Sequence, residues 1–353
     1  MPGLDRRTFL ARLAQSALLV AGLTSGCSNP SPAAPSPTKP LPTATSQPTP
    51  TQPPSPVPTK AAAAPASPAA SGPTATPTPA PTATAVTPPD IAVAHGSQAQ
   101  AITRAAVDAL GGIGRFVKSG QQVLIKPNIC TSREPQYAAT TNPEVVAALV
   151  TLCREAGAGR VVVMDGGFSG MATSYRVSGI EAAVKAVGGE TVVISRLKFR
   201  DTPIPQGKDI QSWSIHEDAL DSDVLINVPI AKTHDLARLT LGMKNLMGLV
   251  ESRESLHRNL GQRLADLGTV IKPTLVVVDA VRILTRNGPT GGNLADVKTT
   301  NTVIASVDPV AADSYAATLF GMKGDDLDYV RAGAEMGLGV KDLSQLRIGE
   351  LNL

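Results

Sequence analysis

From Asp90 onward, short aliphatic runs alternate with amphipathic stretches of helical period. Ile91 to Ala94 predicts a strand and Ala99 to Leu110 a helix. Val123 to Lys126 predicts the next strand. Pro143 to Ala156 follows as a helix with Asn142 as its N-cap and Pro143 at the first helical position. Within it Val145, Val146, Leu149, Val150 and Cys153 share one face. Val161 to Met164 is a further strand. Ser178-Gly179-Ile180-Glu181 reads as a capping box opening a helix that stops at Gly188-Gly189, and Thr191 to Ile194 as the strand after it. Val224 to Asn227 and Leu275 to Val278 are continuous apolar runs suited to strands covered on both faces. Thr302 to Ser306 leads through Asp308-Pro309 into a helix reaching Phe320. This alternation predicts an α/β fold, an open and mostly parallel sheet with helices on both faces. Whether residues 90–353 form one domain or two lobes divided near residue 205 stays open at this level.

The first 89 residues follow another rule. Twenty of the 30 prolines lie between Pro30 and Pro89, and nine serve everything after Asp90. Residues 28–89 are almost entirely Pro, Ser, Thr and Ala, with only Lys39 and Lys60 charged. Such a stretch has too little apolar surface to offset its ordering entropy, so it reads as a disordered, semi-stiff stalk. Ahead of it, residues 1–27 carry Arg6-Arg7-Thr8-Phe9-Leu10 and a mildly apolar run from Leu13 to Leu23. Paired arginines before Phe-Leu resemble a twin-arginine export signal. The run is about half of the roughly 20 residues a spanning helix needs, which argues against a membrane anchor. Leu23-Thr24-Ser25-Gly26-Cys27 resembles a lipoprotein cleavage site, although Thr24 stands where an aliphatic residue is usual. The expectation is an exported protein facing outside the cytoplasm. The twin-arginine machinery would export it, and a lipid on Cys27 would hold it to the membrane.

Charge divides at the same boundary. Residues 1–89 hold five Lys/Arg and one Asp, leaving 27 Lys/Arg against 28 Asp/Glu beyond. A core with no net basic excess excludes a nucleic-acid partner as the leading expectation. Only Cys130 and Cys153 remain after Cys27, too few for an iron-sulfur cluster with four cysteine ligands, so none is expected and any other cofactor is unassigned. A disulfide between the two stays open beside a core role for Cys153.

Scarce polar residues recur at predicted strand ends, the edge where open α/β sheets bind ligands. Lys126 and Asn128 follow one strand, Asp165 another, Lys232 and His234 a third, and Asp279 a fourth. Lys126, Asn128, Lys244 and Asn245 are candidate ligand contacts; His234, Lys232 and Asp165 are candidate catalytic groups. His234, Asp165 and Asp279 are the candidates for a metal, although no metal-binding spacing is present. Lys244 and Asn245 lie among Met243, Leu246 and Met247; an inward Lys there would need an anionic partner. Arg253, His257, Arg258 and Arg263 read as a solvated helix flank. No P-loop, dinucleotide fingerprint or nucleophile elbow occurs.

Three of these stretches, VLIKPN at 123–128, INVPIAKTH at 226–234 and TLGMKNLMG at 240–248, resemble the domain of unknown function 362 family. So do Val276 to Ala280 and the glycines Gly288, Gly291 and Gly292. The resemblance implies that Lys126, Asn128, Lys232, His234, Lys244 and Asn245 occupy motif positions, and it supplies no reaction. Some family members carry an added cysteine-rich ferredoxin-like segment, which this chain lacks. Two classes follow: an enzyme using Lys and His on a small carboxylated or phosphorylated molecule, or a non-catalytic solute-binding lipoprotein.

Overall fold

The computed structural model describes residues 87–167 and 171–353. The leader, Cys27 and all but the last three residues of the stalk lie outside the described residues.

Twelve strands and ten α-helices are described. The strands are β1 (Ile91–His95), β2 (Gln122–Pro127), β3 (Arg160–Val163), β4 (Glu190–Thr191), β5 (Phe199–Pro203), β6 (Ser212–His216), β7 (Val224–Val228), β8 (Ile230–His234), β9 (Arg238–Thr240), β10 (Leu275–Leu284), β11 (Val297–Ser306) and β12 (Ile348–Asn352). The helices are α1 (Ala99–Ala109), α2 (Pro143–Glu155), α3 (Met171–Val177), α4 (Ile180–Ala186), α5 (Glu217–Asp221), α6 (Gly242–Asn245), α7 (Arg253–Leu256), α8 (Leu260–Gly268), α9 (Pro309–Thr318) and α10 (Asp328–Glu335).

The main sheet runs β12-β1-β11-β10-β7-β2-β3-β4, with β8 pairing β10 and β9. Along this path every pairing is parallel except those of β11, which is antiparallel to both β1 and β10. Strands of period two, apolar on both sides, need cover on both faces. In β10, Leu275 and Val277 join one core with α1, α2 and α4, while Val276 and Val278 join the other with α8, α9 and α10. The chain also crosses the midpoint where a two-lobe division was open: β7 pairs with β2 on one side and β10 on the other, so one sheet spans both halves.

Helix α2 starts as predicted, with the Asn142 side chain accepting from the Glu144 amide. Asp308 caps α9 by accepting from the Ala311 amide. Two local expectations fail. The residue before α4 is Gly179 in the left-handed region, with no side-chain cap, and the Ser178 hydroxyl donates instead to the Tyr175 carbonyl at 3.1 Å. The strand expected over 191–194 is only Glu190–Thr191; Val192 donates to Val163 and pairing then ends at the sheet edge. In the hairpin of β5 and β6 only β6 alternates, with Trp213 and Ile215 toward the core, and β5 (FRDTP) carries no such pattern.

The order β10-β7-β2-β3 places a topological switch between β7 and β2: from β2 the chain winds outward to β3, and from β7 to β10. Ligands bind in the crevice at the carboxyl ends of such a pair. No helix among the described residues is long and apolar enough to cross a membrane.

Candidate functional site

A cavity of about 280 Å³ opens at that crevice, lined by Lys126, Asn128, Cys130, Asp165, Lys232 and His234 from the strand ends. Lys244, Asn245 and Gly248 close it from the segment after β9, and Arg253 and His257 from α7 and the turn beyond it. A larger groove of about 540 Å³ lies beside it, sharing Leu236 and His257 but none of the strand-end residues.

The pieces are tied together by one amide chain. Asn245 Oδ1 accepts from Lys126 Nζ at 3.1 Å and from Asn128 Nδ2 at 3.0 Å. Asn128 Oδ1 in turn accepts from Lys232 Nζ at 3.0 Å. Asn245 Nδ2 donates to Asn227 Oδ1 at 2.8 Å, and Asn227 Nδ2 donates to the Gly242 carbonyl. From the opposite side Asp313 on α9 accepts from the amides of Gly242 and Met243 at 2.6 and 2.9 Å, satisfying the first turn of α6. A Cβ on Gly242 would stand 2.8 Å from the Asp313 carboxylate, so the close approach requires glycine. Held from both ends, the 242–249 segment is fully buried, and Lys244 points inward rather than to solvent.

The three lysines are not equivalent. An ammonium has three hydrogens to donate. Lys126, 1% exposed, places Nζ 2.5 Å from Asp165 Oδ1, 2.7 Å from the Pro127 carbonyl and 3.1 Å from Asn245. Lys232, fully buried, gives its hydrogens to Asn128, to the Ala139 carbonyl at 2.5 Å and to Cys130 Sγ at 3.1 Å. Both are therefore spent inside the protein. They lend the cavity charge, while their polar contacts are made within the protein. Lys244, 8% exposed, has no hydrogen-bond partner among the described residues. Burial and then the charge of Lys232 push its pKa down to about 8.

His234 is also more constrained than its sequence position implied. Its Nδ1 accepts from the amides of Leu236 and Ala237 at 3.1 and 3.3 Å, which leaves the ring hydrogen on Nε2. Burial, followed by the charges of Lys244 and Lys232, drives its pKa down to about 3. The ring is a neutral hydrogen-bond donor, stacked near His257 with centroids 6.5 Å apart.

Asp165 lines the cavity, yet its Oδ2 accepts from the Ile129 amide at 2.6 Å and its Oδ1 faces Lys126. Asp279 is not among the cavity walls: its oxygens accept from the Asn142 and Val281 amides, and it fastens the start of α2. The suggested trio of His234, Asp165 and Asp279 is therefore not assembled, and no group of three or more metal-ligating side chains occurs among the described residues. Cys130 and Cys153 are both free, the second buried within α2.

Arg253 and His257, read from sequence as a solvated flank, line the cavity instead. Arg253 donates to the Gly166 and Gly167 carbonyls, the latter at 2.6 Å, and so bridges α7 to the loop after β3. Their helical spacing alone gave no sign of this. Arg258 is exposed as a solvated flank requires, whereas the Arg263 side chain, only 15% exposed, pairs with Asp209.

The model of the family described as domain of unknown function (DUF362) matches residues 123–318. The chain is 30% identical over 254 residues to the thylakoid-associated protein sll1697 of Synechocystis, covering 67% of this chain and 74% of that protein. Among solved structures, a lactate racemase apoprotein from Thermoanaerobacterium thermosaccharolyticum superposes with a TM-score of 0.44 at 10% identity, over 62% of this chain and 54% of the other. A Thermotoga maritima protein gives 0.36 at 10% identity, over 64% and 60%. The chain spans less than two thirds of either structure's length, and similarities of that strength carry nothing about the site. The matched segment contains the strand ends and the 240–248 stretch that wall the cavity, and the chain belongs to the domain of unknown function 362 family.

Proposed function

We propose that the cavity takes a small anion, a carboxylate or phosphate compound, and that the protein is an enzyme acting on it. The observation that carries this reading is Lys244, a nearly buried ammonium facing a cavity with no counter-charge of its own. An unpaired buried charge is costly, and a bound anion would repay that cost. Lys244 grips the ligand and, with its pKa near 8, is the group that exchanges a proton close to neutral pH. His234 serves as a fixed donor through Nε2 toward an oxygen that gains charge. Lys126, Asn128, Lys232 and Asn245 position these groups, and Asp165 orients Lys126 rather than acting as a base.

The second reading, a non-catalytic solute-binding lipoprotein, is favoured by one observation: the histidine is oriented by backbone amides and not by a carboxylate. In either case the sequence supports export and a lipid on Cys27, so the cleft would face outside the cytoplasm at the end of its stalk. Native mass spectrometry of the full chain from its own host tests the proposal. A retained anion that leaves unchanged identifies a carrier; conversion during incubation identifies an enzyme. A protein that retains nothing and shows no thermal shift with any carboxylate or phosphate would remove both.

A further inference from the structure

We infer that the ligand of this cavity is a dianion, with two acid groups or one doubly charged phosphate. This rests on the anion-site reading above and goes further by fixing the charge. Four cationic side chains line the cavity, Lys126, Lys232, Lys244 and Arg253, against two carboxylates, Asp165 and Asp235. Asp165 is consumed by Lys126 at 2.5 Å, and Asp235 is exposed and forms no ion pair among the described residues. Three cations, Lys232, Lys244 and Arg253, then stand against the single charge of Asp235, a surplus of two, and none of the three has a carboxylate partner among the described residues. Lys232 meets an amide oxygen, a carbonyl and a thiol; Arg253 meets two carbonyls; Lys244 has no hydrogen-bond partner among the described residues. The two histidines that face them do not change the count. His234 has its pKa driven down to about 3, and burial, followed by Lys244, pushes that of His257 below its ordinary value.

A surplus of this kind inside a cavity is not screened as surface charge is, because the walls exclude most counter-ions. One negative charge would leave one cation uncompensated. Two would balance the walls, with Lys244 supplying three unused hydrogens at one end. Arg253 keeps guanidinium hydrogens beyond the two it gives to Gly166 and Gly167. The cavity, about 280 Å³, has room for a compact molecule with its acid groups close together.

Cys130 supplies an internal reporter: it lines the cavity and is partly exposed, whereas Cys153 is fully buried in α2. Alkylation of the full chain by iodoacetate would be followed peptide by peptide by mass spectrometry, with acetate, succinate or inorganic phosphate as competitor. Cys153 reports whether the fold opens. The inference expects succinate or phosphate to protect Cys130 at concentrations about tenfold or more below acetate, and which of the two is better tells a dicarboxylate from a phosphate. Lys244→Met should abolish the preference while Lys244→Arg keeps it. Equal protection by acetate would overturn the dianion inference and leave the anion site standing. No protection by any of the three, with Cys130 still alkylated, would overturn both.

Discussion

Lys126 and Asp165, brought from the ends of adjacent parallel strands, meet at 2.5 Å under the backbone of Gly248. The contact leaves no room for a side chain: a Cβ on Gly248 would stand 1.9 Å from the Asp165 carboxylate and 2.7 Å from the Lys126 ammonium. The Gly166 amide also donates to the Gly248 carbonyl at 3.0 Å, so the loop cannot retreat without breaking that bond. Gly248→Ala is therefore expected to lower stability and disturb the cavity. Urea denaturation should show a clear drop in midpoint; an unchanged midpoint would mean that the loop relaxes freely.

Removing one partner of the pair tests it from the other direction. Asp165→Asn leaves a buried ammonium without its carboxylate, and such losses typically cost about 3–5 kcal/mol. Replacing both residues together, Lys126→Met with Asp165→Asn, should cost less than Asp165→Asn alone, because the stranded charge is gone. Denaturation curves of the two variants decide this; a double variant less stable than the single one would refute the account of the pair.

The pH dependence follows from Lys244. Its pKa in the folded protein, about 8, lies below the ordinary lysine value of 10.5. The folded state is therefore penalised where the unfolded lysine is charged. The penalty is complete below pH 8 and is relieved as pH climbs from 8 toward 10.5. Its size is about 3 kcal/mol from the shift alone. Over that same window, a ligand held by the charged form is released. Succinate affinity, measured by calorimetry, should be level around neutral pH and fall above pH 8.

His234 is expected to contribute no inflection near its ordinary value. With Nδ1 accepting from two amides and a pKa driven down to about 3, it stays neutral through the physiological range. Nitrogen chemical shifts of the ring should report hydrogen on Nε2 without titration between about pH 5 and 8. A midpoint near 6.5 would show that the ring is not held as described.

The main sheet was legible because its central strands are apolar on both sides, a pattern few other structures produce. The starts of α2 and α9 were legible because Asn142 and Asp308 are local caps followed by proline. The strand ends bring Lys126, Asn128, Asp165, Lys232 and His234 to one cavity, since β2, β3 and the β7–β8 segment all end at the same crevice. What remained hidden depends on distant partners. Lys244 is turned inward by Asp313, 69 residues further along the chain, and nothing within 240–248 declares that contact. Arg253 and His257 enter from a helix whose spacing fits solvent equally well. Asp279 looked like a site residue because it follows a strand, yet β10 continues past it to Leu284 and turns it to a structural task.

The most direct measurement is thermal melting of the wild type and Lys244→Met, each with and without phosphate. Without phosphate the variant should melt higher, since it removes an unpaired buried charge. With saturating phosphate the wild type should gain several degrees while the variant gains nothing. A variant that melts lower without phosphate, or that gains as much from it as the wild type, would contradict the assignment of Lys244 as the ligand-holding cation.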